Sequence, residues 1–225
     1  MSVPPQYGET WVYESIVVAL PGVDLSESQA VALQLALFEV AVLIFSWYYG
    51  LPGAALAGTV AVAVAAVGSI AMLRFSRTTR AVSMPDAYRR LLFGSNIEVV
   101  LSVLAFIALV THVFVFDPSL FAELFGRDPP VVVVYITLLV LWDLCYRIGT
   151  SWWAAVVSLW RSLRYHFDDR AVSRLRRADG INIAFASTQL VLLPFLVDQP
   201  VLQLAVGGHV VAVGLVAGAA ILLLD

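Results

Sequence analysis

The sequence predicts an all-α integral membrane protein, a polytopic bundle of six transmembrane helices preceded by a short interfacial helix. Of its 225 residues, 61% are hydrophobic and 13% are charged, whereas soluble domains carry about 45–50% apolar and about 25% charged residues. The apolar residues recur in long runs along the whole chain, which indicates one membrane-embedded unit. These runs do not alternate polar and apolar side chains as the strands of a membrane β-barrel do.

The chain is predicted to begin with an interfacial segment, residues 1–27, followed by a transmembrane domain, residues 28–225. The first apolar stretch, Trp11 to Leu20, is only about ten residues long and contains Glu14, so it is too short to span a bilayer. Its aromatic residues and alternating polar positions favour a helix that lies along the membrane surface and ends at a Pro-Gly pair.

Six later stretches approach the roughly 20 residues that a helix needs to cross the hydrocarbon core. They are Gln29–Tyr49, Pro52–Leu73, Ser95–Phe116, Val131 to about Val157, Ile181–Val197 and Val201–Leu224. The fifth span is short and contains Pro194. The fourth is too long for one perpendicular crossing, which predicts a tilted helix or one that continues past the membrane.

The arginines determine the predicted orientation. They cluster in the connections after the second and fourth spans, and the positive-inside rule places both connections in the cytoplasm. The acidic connection between the third and fourth spans, and two tight turns without arginine, should face outward. Both termini are therefore expected in the cytoplasm, with the protein in the cell (plasma) membrane.

The same arginines are predicted to fix the topology or to bind anionic lipid headgroups of the bilayer rather than nucleic acid. A solvated face without lipid contact is the alternative interpretation. The residues concerned are Arg74, Arg77, Arg80, Arg89, Arg90, Arg161, Arg164, Arg174, Arg176 and Arg177.

Ionisable side chains at membrane depth need partners or water, because each costs about 2.5–3.5 kcal/mol to insert. The predicted intramembrane polar core comprises Glu39, Glu98, Asp143, Arg147 and His209. Asp143 and Arg147 share one helix face, and counting residues from the ends of the spans places Glu98 at the depth of Arg147. We therefore expect a buried Glu98–Arg147–Asp143 network, with Glu39 left as an unpaired carboxyl group.

His209 is expected to be a hydrogen-bonded core histidine, or else a proton relay with Glu39 or Asp143. It differs from His112 by about 6 Å in depth, which disfavours a haem held between the two. The small residues of Gly214-x-x-x-Gly218 predict a close helix contact, either within the chain or between copies in a homo-oligomer.

Several classes of protein are excluded by composition. The chain has no lysine, whereas retinal proteins and pyridoxal enzymes both need a lysine Schiff base. Its one cysteine, Cys145, excludes an intrachain disulfide and the usual thiolate metal site. We find no catalytic, metal-ligating or phosphate-binding motif, so we expect no cofactor and no metal, and an enzyme is the third-ranked functional class.

Three blocks of the sequence, Tyr7–Glu14, Tyr88–Ser95 and Leu141–Trp153, carry a family resemblance that runs nearly end to end. They are similar to those of an uncharacterised family of haloarchaeal multi-pass integral membrane proteins. The resemblance implies an archaeal plasma membrane, in agreement with the absence of lysine. It implies no activity and no site residue.

The polar core makes transport of protons or small cations the first functional expectation. A non-catalytic membrane scaffold or assembly partner is the alternative, with the sixth span and the arginine loops as its surfaces. A water-accessible cavity touching Glu39 and Asp143 would favour transport, whereas dry and paired carboxylates would favour a scaffold.

Overall fold

The computed structural model describes Trp11 and residues 26–225. This part of the chain contains the helices α1 (Glu27–Tyr48), α2 (Pro52–Arg80), α3 (Asp86–Phe93), α4 (Ile97–Thr111), α5 (Ser119–Phe125), α6 (Val131–Arg164), α7 (Asp169–Thr188) and α8 (Pro200–Leu223). A π-helical turn, His112–Phe116, continues α4, and a 3₁₀ segment, Gln189–Leu196, continues α7.

The predicted fold class is confirmed: six helical segments are long and apolar enough to cross a membrane. They are Val31–Tyr48, Pro52–Arg80, Asp86–Phe116, Val131–Arg164, Asp169–Leu196 and Pro200–Leu223. The protein is therefore a multi-pass integral membrane protein with an all-α bundle.

Local sequence fixes the starts of several helices. Ser26 caps α1 in a capping box, since its hydroxyl accepts from the Gln29 amide at 3.3 Å and the Gln29 side chain accepts from the Ser26 amide at 2.9 Å. Asp168 caps α7 by accepting from the Ala171 amide at 2.8 Å. Both α2 and α8 begin with proline, which has no amide hydrogen to leave unpaired there.

Two helices run past the ends predicted from hydropathy. α2 continues from Leu73 to Arg80, and α6 continues from Val157 to Arg164; α7 likewise begins well before its predicted span. The apolar window marks the membrane crossing and not the helix, and arginine is a good helix former. Much of each arginine cluster therefore lies on a helix and not in a loop.

The connections divide between two ends of the bundle. We call residues 81–85, residues 165–168 and the C-terminus the arginine end, and residues 49–51, 117–130 and 197–199 the acidic end. Hydrogen bonds tie each end together: Arg174 donates to the Ala81 carbonyl at 2.7 Å, and Gln199 donates to the Ser119 hydroxyl at 2.7 Å. Both arginine-bearing connections thus lie on the same side, as the predicted topology requires.

The long helix α6 is the centre of the bundle. It packs against α1, α2, α3, α4, α7 and α8. The contact with α4 is close at Gly149, where a Cβ atom would lie 2.8 Å from the Ser102 amide nitrogen and 2.9 Å from the Glu98 carbonyl oxygen. The absence of a side chain at Gly149 therefore lets the two backbones approach.

The close contact predicted at Gly214 and Gly218 is not made within the described chain. A Cβ atom at either position would meet no atom within 4 Å. α8 instead buries Val213, Ala217 and Ala220, which lie on another face of the same helix. A contact between copies through these glycines remains a prediction.

Trp11, Ser26 and Glu27 are the described residues of the predicted interfacial segment; its other residues lie outside the described part. The Trp11 side chain is only 2% exposed. The indole nitrogen donates to the Leu92 carbonyl at 2.9 Å, and the ring centroid lies 5.7 Å from that of Phe75 and 5.2 Å from that of Phe93. Trp11 thus packs inside the bundle near the arginine end.

Candidate functional site

Polar side chains follow one face of α6 from the middle of the bundle to the arginine end. Asp143, Arg147, Ser151, Ser158 and Arg161 are all buried, and their spacing places them on one side of the helix. We call these five residues the polar stripe. Asp143, Ser151 and Arg161 bond to side chains of neighbouring helices, so the stripe connects α6 to α1, α3 and α7.

The predicted ion pair between Asp143 and Arg147 is confirmed. Arg147 Nη2 lies 2.8 Å from Asp143 Oδ1 and 2.9 Å from Oδ2, and Gln34 on α1 donates to Oδ1 at 3.2 Å. Gly68 on α2 makes room for the arginine, because a Cβ atom there would lie 2.5 Å from Arg147 Cδ. The Asp143 carboxylate is thereby both neutralised and linked to α1.

Glu98 does not join this pair, so the predicted three-residue network is wrong. Glu98 is fully buried and neither of its carboxyl oxygens has a hydrogen-bond partner among the described residues. Its backbone lies against Gly149 on one side of α6, whereas the Arg147 side chain extends to Gly68 on another side. Counting residues gives the depth of a side chain but not the side of the helix it occupies.

Glu39 is not the unpaired carboxyl group that the sequence predicted. Its Oε1 accepts a hydrogen bond of 2.7 Å from the hydroxyl of Thr59 on α2, and the residue is half-buried. Threonine hydroxyls hydrogen-bond between helices in this way within membranes. The contact links α1 to α2.

A second buried ion pair, which sequence analysis missed, lies near the arginine end. Arg161 Nη2 is 2.6 Å from Asp179 Oδ2 on α7, and both side chains are fully buried. Arg161 Nη1 also donates to the Tyr88 hydroxyl at 3.3 Å, and its Cζ lies 5.6 Å from the Tyr88 ring centroid. Arg161 therefore does not face lipid headgroups, while its alternative role in fixing the topology stays a prediction. Its helical spacing from Arg147 was the signal for a buried position.

Several buried polar atoms of α2, α6 and α7 have no hydrogen-bond partner among the described residues. They are Ser76 Oγ, Thr79 Oγ1, Ser158 Oγ, Arg161 Nε and Asp179 Oδ1. Buried polar groups are normally satisfied by protein or by ordered water. We therefore expect internal water at this end of the polar stripe.

Further hydrogen bonds join α6 to α7 and α8. Ser151 Oγ donates to Asn182 Oδ1 at 2.7 Å, and Asn182 Nδ2 donates to the Ser151 carbonyl at 2.9 Å. Ser162 Oγ donates to the Ala220 carbonyl on α8 at 2.8 Å. Each bond satisfies a polar group that lipid could not.

Other arginines of the arginine end contact the protein. Arg176 donates to the Leu224 carbonyl at 2.9 Å, Arg80 Cζ lies 5.5 Å from the Phe93 ring centroid, and Arg89 forms an exposed ion pair with an aspartate. For the exposed arginines, the headgroup role stays a prediction. They include Arg74, Arg77, Arg90, Arg164 and Arg177.

An apolar cavity of about 490 Å³ lies in the half of the bundle nearer the acidic end. Residues of α1, α2, α4, α6, α8 and the 3₁₀ segment form its walls, and Phe121 and Phe125 of α5 contribute at the acidic end. None of its described lining residues is charged, and neither Glu39 nor Asp143 is among them. The cavity is therefore separate from the polar stripe.

Two histidines line this cavity, His112 at the start of the π-helical turn and His209 on α8. The Nε2 atom of each is buried without a hydrogen-bond partner among the described residues. His209 Nε2 thus lacks the partner expected of a hydrogen-bonded core histidine. The described residues include no group of three or more His, Cys, Asp or Glu side chains placed to hold a metal ion.

The profile of a family of unknown function, DUF7530, matches residues 6–220. Because the match covers nearly the whole chain, the chain belongs to this family, in agreement with its resemblance to an uncharacterised family. No curated protein and no solved structure matches the chain.

Proposed function

We propose that this DUF7530 protein binds the hydrocarbon chain of a lipid in its apolar cavity, while the polar stripe holds the helices around that cavity. The observation that carries the proposal is a cavity of about 490 Å³ without a charged residue in its described lining. Sites for small ligands have this size and are predominantly apolar.

The cavity is costly to leave empty. An unfilled apolar space deprives the side chains that line it of van der Waals contacts, which destabilises the bundle. Water is a poor filler because an apolar lining offers few hydrogen bonds. Ala108 and Ala205 line the cavity and are exposed, so hydrocarbon from the bilayer can reach it.

The charges of the polar stripe support a structural role for it. Asp143 pairs with Arg147, and Arg161 pairs with Asp179. None of these four side chains lines the cavity. Paired charges away from the cavity fix the docking of helices, and they leave ligand binding to the apolar walls.

Labelling with a hydrocarbon probe tests the proposal. We expect a neutral long-chain probe carrying a diazirine, in nanodiscs of the full chain, to label cavity residues of α4, α6 and α8 in a saturable manner. Filling the cavity with Ala105→Trp should weaken binding about tenfold, which corresponds to about 1.4 kcal/mol. Mass spectrometry of the labelled peptides measures both effects.

The matched control is Ala63→Trp, since Ala63 is exposed on α2 and lies outside the lining. It should leave the labelling of the cavity residues unchanged. Labelling that spreads evenly over the lipid-facing residues and never saturates would contradict the proposal.

A path for protons or small cations is the second candidate, and Glu98 favours it. Its carboxyl group is fully buried without a hydrogen-bond partner among the described residues, and ionisable groups inside membranes mark proton relays and ion pathways. If the protein transports protons, then Glu98→Gln, Glu39→Gln or Asp143→Asn should abolish most of the proton flux into proteoliposomes. Glu123→Gln, at the exposed acidic end, should leave the flux unchanged. Equal flux in all samples and in protein-free vesicles would exclude this candidate.

The orientation completes the proposal. With the arginine end in the cytoplasm of an archaeal plasma membrane, the cavity lies in the outer half of the bilayer and draws its ligand from that leaflet. The exposed arginines then meet the anionic headgroups of the inner leaflet. A scaffold remains the alternative, with the open face of α8 at Gly214 and Gly218 available to a second copy in a homo-oligomer.

A further inference from the structure

We infer that the cavity selects a neutral lipid whose hydroxyl or carbonyl groups hydrogen-bond to His209 and His112. This inference rests on the proposed function, because it names the class of ligand that the same cavity accepts. The inference is based on the polar atoms of the cavity lining, whereas the proposed function is based on its apolar residues.

The two imidazoles are the polar groups of the lining that need a partner. His112 and His209 approach the cavity from different helices, and each has a buried Nε2 atom without a hydrogen-bond partner among the described residues. The hydroxyl of Thr137, also in the lining, is already used, since it donates to the Val133 carbonyl at 2.8 Å. A ligand with a polar group would satisfy the histidines where the protein does not.

The backbone departs from α-helical geometry at His112, whose side chain lines the cavity. The Asp117 amide donates to the His112 carbonyl at 2.8 Å, which closes a π-helical turn at the end of α4. Such turns occur frequently at functional sites. The neighbouring Asp117 accepts hydrogen bonds at Oδ1 from the hydroxyl and the amide of Ser119, at 2.5 and 3.2 Å, and its charge also interacts with His112. These hydrogen bonds hold the pKa of Asp117 below its usual value, so it remains a charged group at the acidic end.

The histidines lie at two depths. His209 is about 13 Å along α8 from its start at Pro200, whereas His112 lies in the last turns before the acidic end. His209 is thus the deeper contact and His112 the one nearer the acidic end. An elongated ligand can reach both.

The chemistry of the lining disfavours the other two classes of lipid. An anionic headgroup would lose its hydration without meeting a cation, because no arginine lies among the described lining residues. A pure hydrocarbon would leave both Nε2 atoms unsatisfied. A neutral imidazole offers one donor and one acceptor nitrogen, which suits a hydroxyl group and, through the donor, a carbonyl group.

Competition against the diazirine probe in nanodiscs of the full chain tests the inference. The competitors are hexadecane, 1-hexadecanol and hexadecyl sulfate, compared by their mole fraction in the membrane. We expect 1-hexadecanol to displace the probe at about five- to tenfold lower mole fraction than hexadecane, which is the effect of one hydrogen bond. Hexadecyl sulfate should compete no better than hexadecane.

Variants of the histidines identify the groups responsible. The single hydroxyl of 1-hexadecanol bonds to one imidazole at a time, so at least one of His209→Leu and His112→Leu should reduce the preference for the alcohol while saturable labelling by the probe persists. His209→Gln should restore much of the preference, because an amide also hydrogen-bonds. His166→Leu is the control, since His166 is exposed at the arginine end, and it should change nothing.

The outcomes separate the two proposals. Equal competition by alcohol and alkane, or a preference for the sulfate, overturns this inference while saturable labelling still supports a hydrocarbon site. A preference for the alcohol that survives in both leucine variants also overturns it. Labelling that never saturates defeats the proposed function itself, and this inference with it.

Discussion

Replacing Arg161 with methionine is expected to lower the free energy of unfolding by about 3–5 kcal/mol, because it leaves a buried carboxylate without its partner. Arg161 and Asp179 are both fully buried and lie 2.6 Å apart. Arg161 also donates to Tyr88, so the substitution removes a hydrogen bond to α3 as well. Reversible unfolding in mixed micelles, followed by circular dichroism, measures the loss.

A double-mutant cycle separates the charge effect from packing. Asp179→Leu alone should cost a similar amount, whereas Arg161→Met together with Asp179→Leu should recover most of the loss, because two apolar residues of similar volume can replace a buried pair. The control is Arg89→Met, which breaks the exposed pair with Asp86, whose side chains are 44% and 74% exposed; it should cost about 1 kcal/mol at most. A double variant as unstable as the singles would refute the charge argument.

The six crossings were predictable from sequence because each depends on a local property, the length of an apolar run. The Asp143–Arg147 pair was predictable for the same reason, since two residues four apart on a helix meet without any knowledge of the neighbouring helices. The second pair was not, because Arg161 and Asp179 belong to different helices. Both also lie beyond the apolar windows, where hydropathy predicts a solvated loop.

Depth along a helix can be counted from sequence, but the direction a side chain faces depends on how the helices pack. Glu98 illustrates this, since its predicted depth did not bring it to Arg147 on the other side of α6. The cavity also depends on how the helices pack and not on depth along a helix. Small residues on α2 predict close packing, and Gly58 does meet Val42 of α1 closely, with a Cβ position 2.7 Å from its Cγ1. Gly58 and Ala61 nevertheless both line the cavity.

The second large effect is expected from Gly149→Ala, where one methyl group would force α4 and α6 apart. The new Cβ atom would lie 2.8 Å from the Ser102 amide nitrogen and 2.9 Å from the Glu98 carbonyl oxygen, and would also meet Ser102 Oγ. Two of these atoms are backbone and cannot rotate away. We expect a loss of about 2–3 kcal/mol, at the upper end of what overpacking costs in a core.

Gly214→Ala is the matched control, because the same methyl group on α8 would meet no atom within 4 Å. It should raise stability by up to about 1 kcal/mol, since alanine favours the helix over glycine. The two substitutions are chemically identical, so opposite signs in unfolding measurements would isolate the close approach of α4 to α6. A loss of stability in Gly214→Ala that depends on protein concentration would instead show that copies of the chain meet on this face of α8. If Gly149→Ala left stability unchanged, α4 would not press against α6 at this position.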